Sequence, residues 1–107
     1  MRVQVTAEDI AAGEPGNLCA CPIALAVARA AHRYGGLHLP ADTRVFVSAS
    51  FGIAIELERE REMLYARLPP IARLFIMMYD KDCKVEPFEF DVELLTAEEI
   101  AEHACKE

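Results

Sequence analysis

Three features of the sequence predict an α+β fold. Two long segments carry apolar residues at helical spacing, several short ones alternate apolar with polar residues, and turn-forming residues separate them. The expected arrangement is an antiparallel-rich sheet of four to five short strands, with the two main helices packed on one face. The 107 residues are 53% hydrophobic and 27% charged, which predicts a single α+β domain over residues 1–107. A chain of this length buries about two-thirds of the surface its unfolded form exposes. Its apolar content excludes a disordered tail.

Arg2–Val5 alternates and predicts a short strand. Thr6-Ala7-Glu8-Asp9 follows with the hydroxyl-to-acid spacing of a capping box, although Asp is shorter than the preferred Glu or Gln. A helix over Ala7–Ala12 should stop at Gly13, and Glu14–Leu18, with Pro15, Gly16 and Asn17, reads as a loop. Cys21-Pro22 opens the first main helix, with proline at the first helical position. Through Tyr34 it places Ile23, Ala24, Val27, Ala30 and Ala31 on one face, and Gly35-Gly36 ends it. Leu37–Thr43 is connector.

Arg44–Glu58 is strand-rich, and Gly52 is either a hairpin turn, the favoured reading, or a bulge within one long bent strand. Glu58–Glu62 is a solvated turn, and Met63–Leu68 is a further strand. Pro69-Pro70 starts the second main helix, over Pro70–Asp80, with Ile71, Leu74, Phe75 and Met78 spaced as a core-facing stripe. Phe88–Leu94 alternates as a half-exposed strand, and Thr96-Ala97-Glu98-Glu99 opens a short helix through Ala104. The match between Thr6–Ala11 and Thr96–Ala101 is shared helix-start grammar, not a duplication. Val27, Leu74, Phe75 and Phe90 are the expected core.

Eighteen acidic residues against eleven basic ones give a formal charge of −7. Binding to a phosphate backbone or an anionic membrane calls for clustered Lys and Arg. Here the basic residues are scattered, so no direct nucleic-acid binding and no membrane binding are expected. Arg29, His32 and Arg33 interrupt the best apolar run before it reaches the ~18 residues of a membrane span. Glu8 and Asp9 stand where the apolar core of a secretory signal would lie, which predicts a cytoplasmic location. Four cysteines without a scaffold-like spacing then read as free thiols.

Cys19-x-Cys21 is the most suggestive local motif, because a thiol at a helix N-terminus gains from its partial positive charge. Its spacing is too short for the Cys-x-x-Cys of redox pairs or the usual half-site of zinc. The two thiols therefore read as small apolar fillers. The alternative is a metal or thiol site built on Cys19, Cys21, His103 and Cys105. His32, His38 and His103 are singletons, and Ser48 and Ser50 lack the turn that exposes a nucleophile. Glu56, Glu58, Glu60 and Glu62 form a charge run without the loop glycine of a calcium site. No cofactor and no catalytic constellation are expected.

Several patches, in order along most of the chain, carry a resemblance: Val5-Thr6-Ala7-Glu8-Asp9-Ile10-Ala11-Ala12-Gly13, Cys21-Pro22-Ile23-Ala24-Leu25-Ala26, Leu68-Pro69, Phe75-Ile76, Tyr79-Asp80 and Val85-Glu86-Pro87-Phe88-Glu89-Phe90. In these the chain resembles a group of small uncharacterised proteins encoded by bacteriophages and prophages. The segment Glu58–Tyr65 and the tail Leu95–Glu107 look longer than that group's pattern. The resemblance implies a phage or prophage setting in the host cytoplasm and brings no assigned activity.

The expected function is that of a non-enzymatic accessory protein acting by protein–protein binding, with inhibition of a host enzyme or defence complex as one form of it. The partner is a host or phage protein, or a second copy in a homodimer. Glu56, Glu58, Glu60, Glu62, Glu98, Glu99 and Glu102 are the candidate partner-binding residues, with charge speeding the encounter and apolar anchors supplying affinity. Strand edges near Val45–Ser50 offer a second route, self-association by edge pairing.

Overall fold

The computed structural model describes residues 1–33, 44–49, 52–57, 62–96 and 98–99, with backbone alone for His32, Arg33, Leu57 and Glu62. In order, the elements are β1 (Arg2–Val5), α1 (Ala7–Ala12), α2 (Pro22–Arg33), β2 (Arg44–Ser48), β3 (Gly52–Leu57), β4 (Glu62–Ala66), α3 (Pro70–Asp80), β5 (Phe88–Asp91) and β6 (Leu95–Thr96). The fold is α+β and every strand pair is antiparallel. The strands fall into two sheets, β1-β5 and β2-β3-β4-β6, where one was expected. The alternating segment Phe88–Thr96 serves both. Its first part pairs with β1, Val92 exchanges backbone hydrogen bonds with Met1, and Leu95–Thr96 crosses to β4.

Each helix start follows from local chemistry. In α1, the Asp9 amide donates to Thr6 Oγ1 at 3.2 Å and the Thr6 amide donates to Asp9 Oδ2 at 2.9 Å, completing the capping box. Gly13 ends the helix in an extended conformation, not a left-handed one. A Cβ at Gly13 would stand 2.6 Å from Pro22 Cδ, so glycine lets the end of α1 meet the start of α2. The alanine-rich face of α2 then lies against β1 and β2, spanning the two sheets. Ile23, Ala24, Ala26, Val27 and Ala31 are buried there with Val3, Val5, Val45 and Val47.

The β2–β3 connection is a hairpin, closed by the pairing of Ser48 with Gly52. Gly52 has φ of 97°, and a Cβ there would meet the Ala66 carbonyl oxygen at 2.6 Å. Both facts call for glycine. At the outer edge of β2, within the strand edge expected near Val45–Ser50, the Val47 amide donates to the Leu18 carbonyl at 2.9 Å, so the loop before α2 meets that edge at this point.

The clearest departure from expectation is in α3. Its core side is Ala72, Phe75 and Ile76, with Tyr79 beside them, while Leu74 is exposed. Val27, Phe75 and Phe90 are buried as expected. Leu74 is not, because only Arg73 and Asp80 among the eleven residues of α3 are charged. With apolar side chains everywhere but the edge of Arg73 and Asp80, more than one stripe satisfies the helical spacing, and aromatic packing selects which one turns inward.

Candidate functional site

Pro69, extended at φ −60° and ψ 153°, caps α3 without a side-chain hydrogen bond, and its carbonyl accepts from the Ala72 and Arg73 amides at 3.0 Å. Proline at the first helical position needs no amide partner there. The inner side of α3 is then fixed by aromatic contacts. Phase is set by Phe75, whose ring lies 4.8 Å from Phe88 and stacks on Tyr79 at 6.0 Å, while Phe88 in turn stacks on Phe90 of β5 at 5.5 Å. The Tyr79 hydroxyl reaches two carbonyls at the end of α1, Gly13 at 2.7 Å and Ile10 at 3.2 Å. Burial pushes that hydroxyl above its ordinary pKa. Asp80 adds a tie to the preceding loop, accepting from the Gly16 amide at 3.0 Å.

These contacts leave the opposite side of α3 to solvent. Ile71 and Leu74 are each 56% exposed, and Met77 and Met78 are exposed beside them. Between this face and the returning segment 84–88 runs a groove of about 480 Å³, lined by Ile71, Leu74, Met78, Val85, Pro87 and Phe88. Phe75, Lys84 and Glu86 also line it. A helix with so little polar surface is ordinarily covered on more than one side. A contiguous exposed apolar patch with polar edges is the usual mark of an interaction surface.

The acidic candidates are partly brought together. β3 and β6 run in the same direction on either side of β4, with Glu56 opposite Met63 and Leu64 opposite Thr96. Glu56 and Thr96, with exposed Glu98 and Glu99 after it, therefore lie at one end of the four-stranded sheet. Glu99 is engaged locally, accepting from the Thr96 amide at 3.4 Å while its own amide donates to the Thr96 hydroxyl at 3.2 Å, so the second capping box forms as expected. Glu62 begins β4. Glu58, Glu60 and Glu102 lie outside the described residues, as do Tyr34, Gly35, Gly36, His38, Ser50, His103, Ala104 and Cys105.

Cys19 and Cys21 do not form a matched pair. Cys19 is exposed, whereas Cys21 is buried and caps α2, accepting from the Ala24 amide at 3.4 Å. Burial raises the Cys21 pKa and outweighs the amides that favour its thiolate, so the helix N-terminus does not make it a low-pKa nucleophile. A cavity of about 240 Å³ lies beside it, lined by Leu18, Val47, Ile76 and Asp80 among others. Among the described residues no three His, Cys, Asp or Glu side chains are grouped to hold a metal ion. Nor is any described helix long and apolar enough to cross a membrane. A wider cleft of about 540 Å³ between Arg67–Pro70 and Asp91–Leu95 includes two carboxylates, Asp91 and Glu93. Asp91 is already held by Arg2 at 2.8 Å.

Sequence reasoning identified the apolar content of α3 but assigned its outer residues to the core. The available signal was the lack of a polar face. No family model, curated protein or solved structure matches the chain.

Proposed function

We propose that the protein acts by protein–protein association through the outer face of α3, without catalysis of its own. The observation that carries this reading is the exposure of Ile71 and Leu74 on a helix whose other side is fully packed. Large aliphatic and methionine side chains beside a groove supply affinity by leaving water, and edge charges tune the encounter. The acidic end of the sheet adds a field that speeds the approach of a basic partner. Duplex DNA or RNA is not the partner, because a chain at −7 repels a phosphate backbone. The setting implied by the sequence resemblance belongs to the same proposal: a phage or prophage accessory factor acting in the host cytoplasm on a host enzyme or defence complex.

Immobilised protein exposed to host lysate tests it, with Leu74→Glu as the control. The wild type should hold a protein in near-stoichiometric amount, or a second copy of itself, that the variant loses while keeping the same circular dichroism. Equal association by both proteins would refute the use of this face.

A further inference from the structure

Segment 88–96 is shared by the two sheets, and the sharing leaves one edge of β5 open. Met1 and Val92 exchange backbone hydrogen bonds, and the register sets Val3 against Phe90 and Val5 against Phe88. Bonded and non-bonded pairs alternate in an antiparallel ladder. The amides and carbonyls of Glu89 and Asp91 therefore point away from β1, and no described residue pairs with them. Glu93 continues the same edge. The opposite edge of this sheet is tied to α2, through the Arg29 bond to the Gln4 carbonyl.

Beyond Asp91 the open edge becomes one arm of a fork. β6 pairs with β4 through Thr96–Leu64 and Leu95–Tyr65. The same register carried on would set Glu93 against Arg67, Val92 against Leu68 and Asp91 against Pro69, yet the pairing stops at Tyr65–Leu95. Two causes are visible. Val92 is already bonded to Met1, and neither Pro69 nor Pro70 has an N–H to give to a ladder. The two segments part, and the cleft of about 540 Å³ lies between them. Residues 67–70 cannot zip it shut, so β5 keeps a row of unpaired backbone groups beside a hollow. Such an edge recognises a partner by taking on an extended segment as a further strand.

Charge selects the occupant. Glu89, Asp91 and Glu93 alternate along the edge, and Arg2 answers the first two at 2.7 and 2.8 Å. Glu93 has no ion pair among the described residues. Two copies pairing antiparallel through β5 would set Glu89 of each opposite Asp91 of the other, and like charges directly opposite destabilise a ladder. A segment with basic residues at alternate positions brings the opposite sign to every one of these places.

From this we infer that the open edge of β5 docks an extended basic segment of another protein, which adds antiparallel to β5 as a third strand. Its backbone pairs with Glu89, Asp91 and Glu93, each opposite a Lys or Arg. The residues between these are small and apolar and lie against Leu68 and Val92 in the cleft. Arg67 stands on the far wall, which keeps the basic side chains to the β5 side. This use of β5 goes beyond the α3 face and stands apart from it.

Titration of the isotope-labelled full chain with the capped peptide Lys-Val-Lys-Val-Lys at low ionic strength, followed by NMR, tests the docking. The peptide is expected to shift the amides of Glu89, Asp91 and Glu93 and to slow their exchange with solvent. The Phe88 and Phe90 amides, already facing β1, should change little. N-methylation of the lysine backbone amides keeps the charge and removes the donors, and should weaken binding by about tenfold or more. Glu-Val-Glu-Val-Glu should bind more weakly by at least about the same factor. Glu93→Lys should cost about three- to tenfold with unchanged circular dichroism, and Leu74→Ala should cost nothing. Equal binding of the N-methylated peptide would overturn strand addition, as would unchanged exchange of the Glu89 and Asp91 amides under saturating peptide. Slow exchange of those amides in the free protein would show the edge already covered and overturn the proposal as well.

Discussion

Arg29 of α2 grips Asp9 of α1 with both terminal guanidinium nitrogens, Nη1 to Oδ1 at 2.9 Å and Nη2 to Oδ2 at 2.7 Å. The same Nη2 also donates to the Gln4 carbonyl of β1 at 2.8 Å. One side chain therefore ties together β1, α1 and α2. Asp9 is the only polar residue in the core described for this chain. Its length is explained by this double duty: its carboxylate serves the capping box and meets Arg29 across the helix pair.

Asp9→Asn should lower stability by about 1–3 kcal/mol, the scale of charge-assisted hydrogen bonds, toward the lower end because the Arg29 side chain is 40% exposed. The pH dependence has a definite sign. The Arg29 hydrogen bond, aided by Thr6, holds the Asp9 pKa below its ordinary 3.8. A carboxyl depressed on folding contributes stability that is fully present above the unfolded pKa and is lost as pH falls through the folded one. The wild type should therefore lose its advantage over Asp9→Asn as pH falls below about 4. Urea titrations of both proteins between pH 2 and pH 7 measure this, and a constant difference across that range would contradict it.

The two sides of α3 make opposite predictions for adjacent residues. Phe75→Ala removes a buried ring packed on Phe88 and Tyr79 and should cost about 3–5 kcal/mol. Leu74→Ala, half-exposed in a single chain, should cost less than about 1 kcal/mol in dilute protein, well below the 2–5 kcal/mol of a buried leucine. Denaturant unfolding at low concentration separates them. Equal losses would place Leu74 in the core.

What sequence reveals here depends on how many constraints act on a residue. Thr6-x-x-Asp9 and Thr96-x-x-Glu99 were legible because capping is local, and both boxes form. The hairpin at Gly52 was legible as a turn, but the nonlocal reason for glycine, the Ala66 carbonyl 2.6 Å from a would-be Cβ, was not. The Asp9–Arg29 pair is likewise invisible at a separation of 20 residues. In α3 the periodicity was real and insufficient, since the helix is apolar on both sides and the partners of Phe75 and Tyr79, the Phe88 ring and the Ile10 and Gly13 carbonyls, come from distant segments. The exposed face was hidden by the same abundance of apolar residues that makes it a candidate site.

The thiols should differ in reactivity. Cys19 and Cys83 are exposed, whereas burial shields Cys21 and raises its pKa. Alkylation followed by peptide mapping at neutral pH should label Cys19 and Cys83 quickly and Cys21 only on unfolding. Cys21→Ser should shift stability by less than about 1 kcal/mol, because a serine hydroxyl accepts from the Ala24 amide as the sulfur does. Cys21→Ala, which removes the acceptor, should cost more, about 1 kcal/mol. Fast labelling of Cys21 in the folded protein would contradict the buried capping role.

The end of α3 offers a stabilising substitution. Asp82 has φ of 59°, the left-handed region, and is the described non-glycine residue with a positive φ. Around it the Asp82 amide donates to the Tyr79 carbonyl at 3.0 Å and the Cys83 amide to the Met78 carbonyl at 2.9 Å. These are the paired bonds of a Schellman cap, whose left-handed position is usually glycine. An L-residue there crowds its Cβ against the backbone, and an aspartate also sets a negative charge beside the negative end of the helix dipole. Asp82→Gly relieves both and should raise stability by about 0.5–1 kcal/mol, after the entropy that glycine adds to the unfolded chain. Asp82→Val should do the reverse, costing about 1–2 kcal/mol because a branched Cβ fits this region worst. Thermal unfolding of the two variants at one protein concentration checks the order. A valine variant as stable as the glycine one would mean the cap is not left-handed in solution.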